Sequence, residues 1–297
     1  MKSNSTISKT FGVWQPTTHR PSVVYYEYMR CIHQLKILGF VLLTVLIFMA
    51  NLFSYREQVA FFVWQKTHLE EAVYLDPWNS DLAYSIGNYY FNHGTYDPQK
   101  AERYFRHAIN VTPLHLDAHY QLGRILFIKG KFIEANHEID TVIAENPDFE
   151  KAYYMRGLIL GYQGRLKQGI PYFEEFIRRA PHEWAGYNDL AWLYFRMGEY
   201  EKVREITEKG LDVSPENVWL LNMHGLALHN LGRSEEAQLL FKRAKERADI
   251  LNPEDWGKAY PGNDPAIYAD GLARMHEAID HNLKLVESLN KEPSRRP

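Results

Sequence analysis

The chain has 297 residues, of which 45% are hydrophobic, 14% aromatic and 24% charged, and its formal net charge is −3. This composition supplies a sizeable core and excludes a disordered tail. With Cys31 as the sole cysteine, an intramolecular disulfide is excluded as well.

The first predicted element is a membrane span. Residues 37–53 contain no charged side chain, and Leu35 extends the apolar run to about the length that crosses a bilayer. A cleaved signal peptide is the rival reading. About 36 residues precede the run, however, and no small-x-small site follows it cleanly, so a retained anchor is favoured. Cys31 stands just before it, where acylation is open. Lys2, Lys9, Arg20, Arg30 and Lys36 precede the span against one acidic residue, whereas only Arg56 and Lys66 follow it up to Glu71. By the positive-inside rule, the N-terminus is expected in the cytoplasm and the large C-terminal part outside, in a periplasm or its equivalent. That part carries the negative balance, which argues against nucleic acid as a partner. No Gly-, Pro- or Ser-rich linker follows the span, so it is expected to run nearly unbroken into the next helix, with Phe61, Phe62, Val63 and Trp64 as an apolar patch on the junction. Membrane-embedded or membrane-proximal proteins are the partners this implies.

Beyond residue 79 the chain repeats itself. Pro113, Pro147, Pro181 and Pro215 are spaced by 34 residues, and a small residue precedes each of the last three by 24, namely Gly123, Gly157 and Ala191. Gly225 continues the series, and Gly87 begins it with two extra residues in the turn that follows. This settles the segment Arg156 to Arg165, whose three glycines suggest a phosphate loop. Its spacing is G-x-x-x-G-x-x-G rather than G-x-G-x-x-G, and no strand precedes it. Gly157 is read instead as a site of close helix approach, and Gly164 as a helix end equivalent to Gly94, Gly130, Gly198 and Gly232.

The pattern Gly87, Tyr90, Ala101, Phe105, Ala108, Pro113, repeated as Gly123, Ala135, Ile139, Pro147 and as Gly157, Gly169, Phe173, Pro181, resembles the tetratricopeptide repeat. The resemblance covers about residues 79–250 and departs in the fourth unit, where Val203, Thr207 and Gly210 replace the usual small, aromatic and small residues. It implies an all-α, right-handed α-solenoid of about five helix pairs, with a half-unit before it and a capping helix after it, preceded by one transmembrane helix. The expected organisation is a cytoplasmic arm (1–34), a transmembrane helix (35–54), a juxtamembrane half-repeat (55–78), the solenoid (79–250), and a loop with a capping helix (251–297). His276, Asp280 and His281 of that last helix, like His115 and His119, are read as solvated surface rather than metal ligands.

In such arrays the first helix of each pair lines the concave face. The period places Tyr84, Asn88, Tyr120, Arg124, Phe127, Tyr154, Tyr162, Asn188, Trp192, Phe195 and Arg196 there or nearby, with Phe91, Leu158, Asn222 and His229. Aromatics and Arg are frequent binding hot spots, so a protein or peptide ligand in this groove is the expected partner, with inter-repeat packing as the competing role. Chaperone adaptors of the family clamp acidic C-termini with Lys, Asn and Arg. Asn88 fits that clamp, but Tyr84, Tyr120 and Tyr154 do not, so the role is disfavoured. Neither a Ser, His and Asp set nor a Cys-x-x-Cys pair nor a His-Glu-x-x-His helix is found, and no cofactor or metal is expected. The reading is a non-enzymatic membrane-anchored scaffold or adaptor for a membrane or envelope complex. A permanent structural subunit and a cytosol-facing receptor are its alternatives.

Overall fold

A computed structural model describes residues 23–65, 69–93, 96–259 and 264–291. The backbone divides into two compact units, Met1–Phe62 and Val63–Pro297.

The first unit is helical. Helix α1, Val23–Gln65, is longer than the expected span of 35–54 at both ends. Within it, Arg30–Asn51 has a mean hydropathy of 2.1 and buries none of its side chains, so this is a helix long and apolar enough to cross a membrane. The side chains of Phe61, Phe62, Val63 and Trp64 lie outside the described residues, as does Gly94.

The second unit is an α-solenoid. After the short α2, Leu69–Leu75, come α3 (Ser80–Asn88, continued by a π turn), α4 (Pro98–Val111), α5 (Leu116–Ile128), α6 (Phe132–Glu145), α7 (Glu150–Tyr162) and α8 (Leu166–Arg179). They are followed by α9 (Trp184–Arg196), α10 (Tyr200–Val213), α11 (Val218–Asn230), α12 (Ser234–Ala248), α13 (Pro253–Ala259) and α14 (Tyr268–Lys291). Each odd-numbered helix from α3 to α11 packs on the even-numbered helix after it, and that helix on the next pair.

The sequence dictates this pairing through size complementarity. A Cβ added at Gly157 would lie 2.9 Å from the Phe173 ring, closer than real atoms approach, so the glycine lets the ring of α8 lie flat on α7. Gly87 with Phe105, Gly123 with Ile139, and Gly225 with Phe241 repeat that contact. The turns are built as regularly. Gly164 has a φ of 75°, a conformation only glycine adopts without strain, and it lets Arg165 N–H reach the carbonyl of Leu160 at 2.9 Å, ending α7.

Two expectations are corrected here. His119 is buried rather than solvated: it lies 2.6 Å from Glu138 Oε2 on α6 and 2.9 Å from the Pro113 carbonyl, and the Glu138 hydrogen bond raises its pKa. His115 caps α5, its Nδ1 accepting from Ala118 N–H. The stretch after α12, read as loop, contains the helix α13 and a 3₁₀ turn, Pro265–Ile267, before α14. Helix α14 packs on α12 through Ile279 and Val286.

Candidate functional site

The first helices of the pairs present one face to a common groove. Tyr120, Gln121 and Arg124 come from α5, Lys151, Tyr154, Leu158 and Tyr162 from α7, Trp184, Asn188 and Asp189 from α9, and Trp219 from α11, around a cavity of about 560 Å³. A second space of about 600 Å³ continues past Tyr84, Asn88 and Asn92. Helical periodicity explains the selection, because side chains three or four residues apart share a face.

Polar groups in the groove are held firmly. Tyr154 Oη donates to Asp189 Oδ2 at 2.6 Å, and Asn188 Nδ2 donates to Asp189 Oδ1 at 3.0 Å, so one carboxylate joins two successive repeats. Burial raises the Asp189 pKa to about 6 and lifts that of Tyr154 well above the ordinary phenol value. Arg124 donates to Gln121 Oε1 at 2.8 Å and to Asn92 Oδ1 at 3.4 Å, and its guanidinium lies 4.8 Å from the Phe91 ring centre. Burial lowers the Arg124 pKa and raises that of Tyr120. The aromatics meet one another: Phe127 edge-on with Tyr162 at 5.1 Å, Tyr162 tilted against Trp192 at 5.2 Å, and Trp184 stacked on Trp219 at 5.2 Å.

Of the residues expected in the groove, Tyr84, Asn88, Tyr120, Arg124, Tyr154, Tyr162, Leu158 and Asn188 line the two spaces. Others fall elsewhere. Phe127 is buried against Phe132 and Tyr162, and Phe91 is fully buried beneath Arg124. Trp192 packs over Gly161 and under Arg196, and Phe195 packs on Tyr200. Asn222 accepts from Asn282 of α14 at 3.0 Å. Gln121, Lys151, Trp184, Asp189 and Trp219 were missed. Trp184 and Trp219 stand 35 residues apart at the starts of α9 and α11, one residue off the 34-residue period, so the repeat register alone does not pair them.

Residues 154–205 and 220–249 each match a tetratricopeptide repeat family model. The chain therefore carries tetratricopeptide repeats over these residues. Hsp70-Hsp90 organizing protein 3 of Arabidopsis thaliana is 24% identical over 151 residues, 51% of this chain and 27% of that protein. The chain thus spans about a quarter of that relative's length. Among solved structures, MamA of Desulfovibrio magneticus RS-1 superposes with a TM-score of 0.53 at 22% identity, covering 58% of this chain and 97% of that one. YrrB, described as a tetratricopeptide repeat protein with an unusual peptide-binding site, does so with a TM-score of 0.50 at 13% identity, covering 61% and 93%. At these identities the likeness defines the fold. A solenoid of this family is a non-catalytic scaffold for protein interaction.

Proposed function

We propose that the chain is a membrane-anchored adaptor whose concave groove binds a segment of a partner protein and so helps assemble or stabilise a membrane complex. The observation that carries this reading is the convergence of Tyr120, Arg124, Tyr154, Tyr162 and Asn188, from three helices, on one cavity. Aromatic groups supply large contact area at little entropic cost, and Arg adds directed hydrogen bonds. The peptide-binding site described for YrrB and the chaperone-organizing role named for the plant relative support peptide recognition as the mode. The apolar stretch Arg30–Asn51 supports anchoring. The excess of basic residues before it supports a cytoplasmic N-terminus, with the solenoid and its membrane-proximal partners outside the cytosol.

The test is cross-linking in native membranes with mass spectrometry, comparing the natural chain with a Lys151→Glu, Tyr162→Ala variant. Both side chains are exposed, Tyr162 at 59%, so the fold is expected to survive the exchange. A cross-linked partner lost in the variant is the expected result. An unchanged partner set refutes the groove. A phosphatase fused after residue 297 is expected to be active outside the cytosol. A fluorescent reporter that lights up there in the cytosol instead would reverse the topology.

A further inference from the structure

Helix α13 belongs to no repeat, yet five of its seven residues line the groove. Trp256, Lys258 and Ala259 wall the 560 Å³ cavity, and Glu254, Gly257 and Lys258 wall the space beside Tyr84 and Asn88. A segment that follows the last repeat therefore reaches back along the concave face to the first. Its position is built in from behind. Gly271 of α14 leaves room for the Trp256 ring and Gly257 for the Tyr268 ring, where a Cβ at either glycine would collide. Asn252 Oδ1 accepts from Asp255 N–H at 2.9 Å, and Lys258 pairs with Asp255 at 2.8 Å.

Helix α13 roofs the groove without filling it, and the space left beneath limits what can enter. An α-helix about 10 Å across occupies roughly 400 Å³ per 3.6-residue turn, so the 560 Å³ cavity admits about five residues in any conformation, a short segment rather than a whole helix. The chemistry of the walls selects further. The charges balance: Arg124, Lys151 and Lys258 stand against Glu183 and Asp189 in this cavity and Glu254 in the adjoining space, and Lys258 pairs with Asp255. The rest of the wall is mostly aromatic, with Trp184, Trp219 and Trp256 alongside Tyr120, Tyr154 and Tyr162, and it favours a segment that carries aromatic residues.

We propose that α13 is a clasp that closes the groove over one short aromatic segment of a partner protein, with Trp256 as a partner-contacting residue. This rests on the groove being the binding site, and the experiment separates the two statements. The photoreactive amino acid benzoylphenylalanine is placed at Trp256, at Tyr162 in the groove, or at Ile133, which is 83% exposed on α6 and lines neither space, each in the full chain in native membranes. Irradiation is expected to give the same partner from 256 and 162, joined within one short stretch that carries aromatic residues, and no such adduct from 133. In a Trp256→Ala background, adduct yield at 162 is expected to fall about tenfold, as for loss of an interface tryptophan anchor. A probe at the exposed Lys258, which lines both spaces, covers the case in which the bulky ketone at 256 disturbs α13. An adduct from 162 with none from 256 or 258 refutes the clasp and leaves the groove standing. Adducts to unrelated segments, or to segments without an aromatic residue, refute the clasp too. Silence from all groove positions removes the groove reading, and the clasp with it.

Discussion

In the third repeat, Gly157 on α7 faces Phe173 on α8, and the ring is fully buried. The same two positions of the fourth repeat hold Ala191 and Thr207, both fully buried as well. Thr207 makes up for its smaller volume with polar contacts: Oγ1 lies 2.7 Å from the Val203 carbonyl and 2.7 Å from His224 Nδ1 on the next repeat. Burial lowers the His224 pKa, which keeps the ring neutral there. The Phe173 ring closes the space between α7 and α8 by shape, whereas Thr207 ties α10 to α11 by a hydrogen bond, so the same position secures the array within a repeat in one case and between repeats in the other. Nearest-neighbour coupling of this kind sets the stability of a repeat array.

The largest expected effect comes from emptying the shape-filled seam. Phe173→Ala is expected to cost about 3–5 kcal/mol, the usual range for deleting a buried aromatic ring. Thermal unfolding of the full chain in detergent, followed by far-UV circular dichroism, measures it, and a loss below about 1 kcal/mol would show that α7 and α8 do not depend on the ring. Thr207→Phe tests the other seam. It overpacks against the Ala191 methyl and removes the contact to His224, with an expected loss of about 1–3 kcal/mol. Adding Ala191→Gly rebuilds the pairing of the third repeat and is expected to recover part of that loss. A double variant no more stable than Thr207→Phe alone would sink the complementarity argument.

These seams were legible in the sequence because they recur. The 34-residue spacing of Pro147, Pro181 and Pro215 fixes where Gly123, Gly157 and Ala191 must lie, and one period carries the evidence of the others. The groove was legible in part for the same reason, since Tyr84, Tyr120 and Tyr154 follow from the register of the first helices. Phe127 and Phe91 share that register, but a small rotation of the helix decides whether a ring meets solvent or core, and a helical period does not resolve it. Helix α13 was invisible for a different reason. Seven residues flanked by prolines carry too little periodicity to announce a helix, and nothing in a non-repeating stretch says which face it will cover. The burial of His119 was hidden likewise, because its partner Glu138 comes from another helix.

The smallest effect concerns the joint between the two repeats, where Asp189 of the fourth accepts from Tyr154 of the third. The Asp189 carboxyl is raised from 3.8 to about 6 by burial, so between those values the folded chain holds a proton that the unfolded chain has released. Folding is therefore favoured at the acidic end of the window, and this contribution is lost as pH rises through about 6. Asp189 is only partly buried, which keeps the slope well under the roughly 1.4 kcal/mol per pH unit of a full proton. The carboxylates that pair with Arg respond in the opposite sense: Glu175, held near 2 by Arg178 and Arg179, supports the fold above its unfolded value and fails only as acid neutralises it. The difference in melting temperature between the natural chain and Asp189→Asn, measured from pH 4 to pH 7, isolates the one group. The amide of the variant does not titrate, so the natural chain is expected to lose ground relative to it as pH rises to about 6, and the gap is expected to stay constant above that pH. A gap that is flat across the whole range would mean that Asp189 ionises as freely in the fold as in water, and that the Tyr154 hydrogen bond holds the two repeats together without regard to pH.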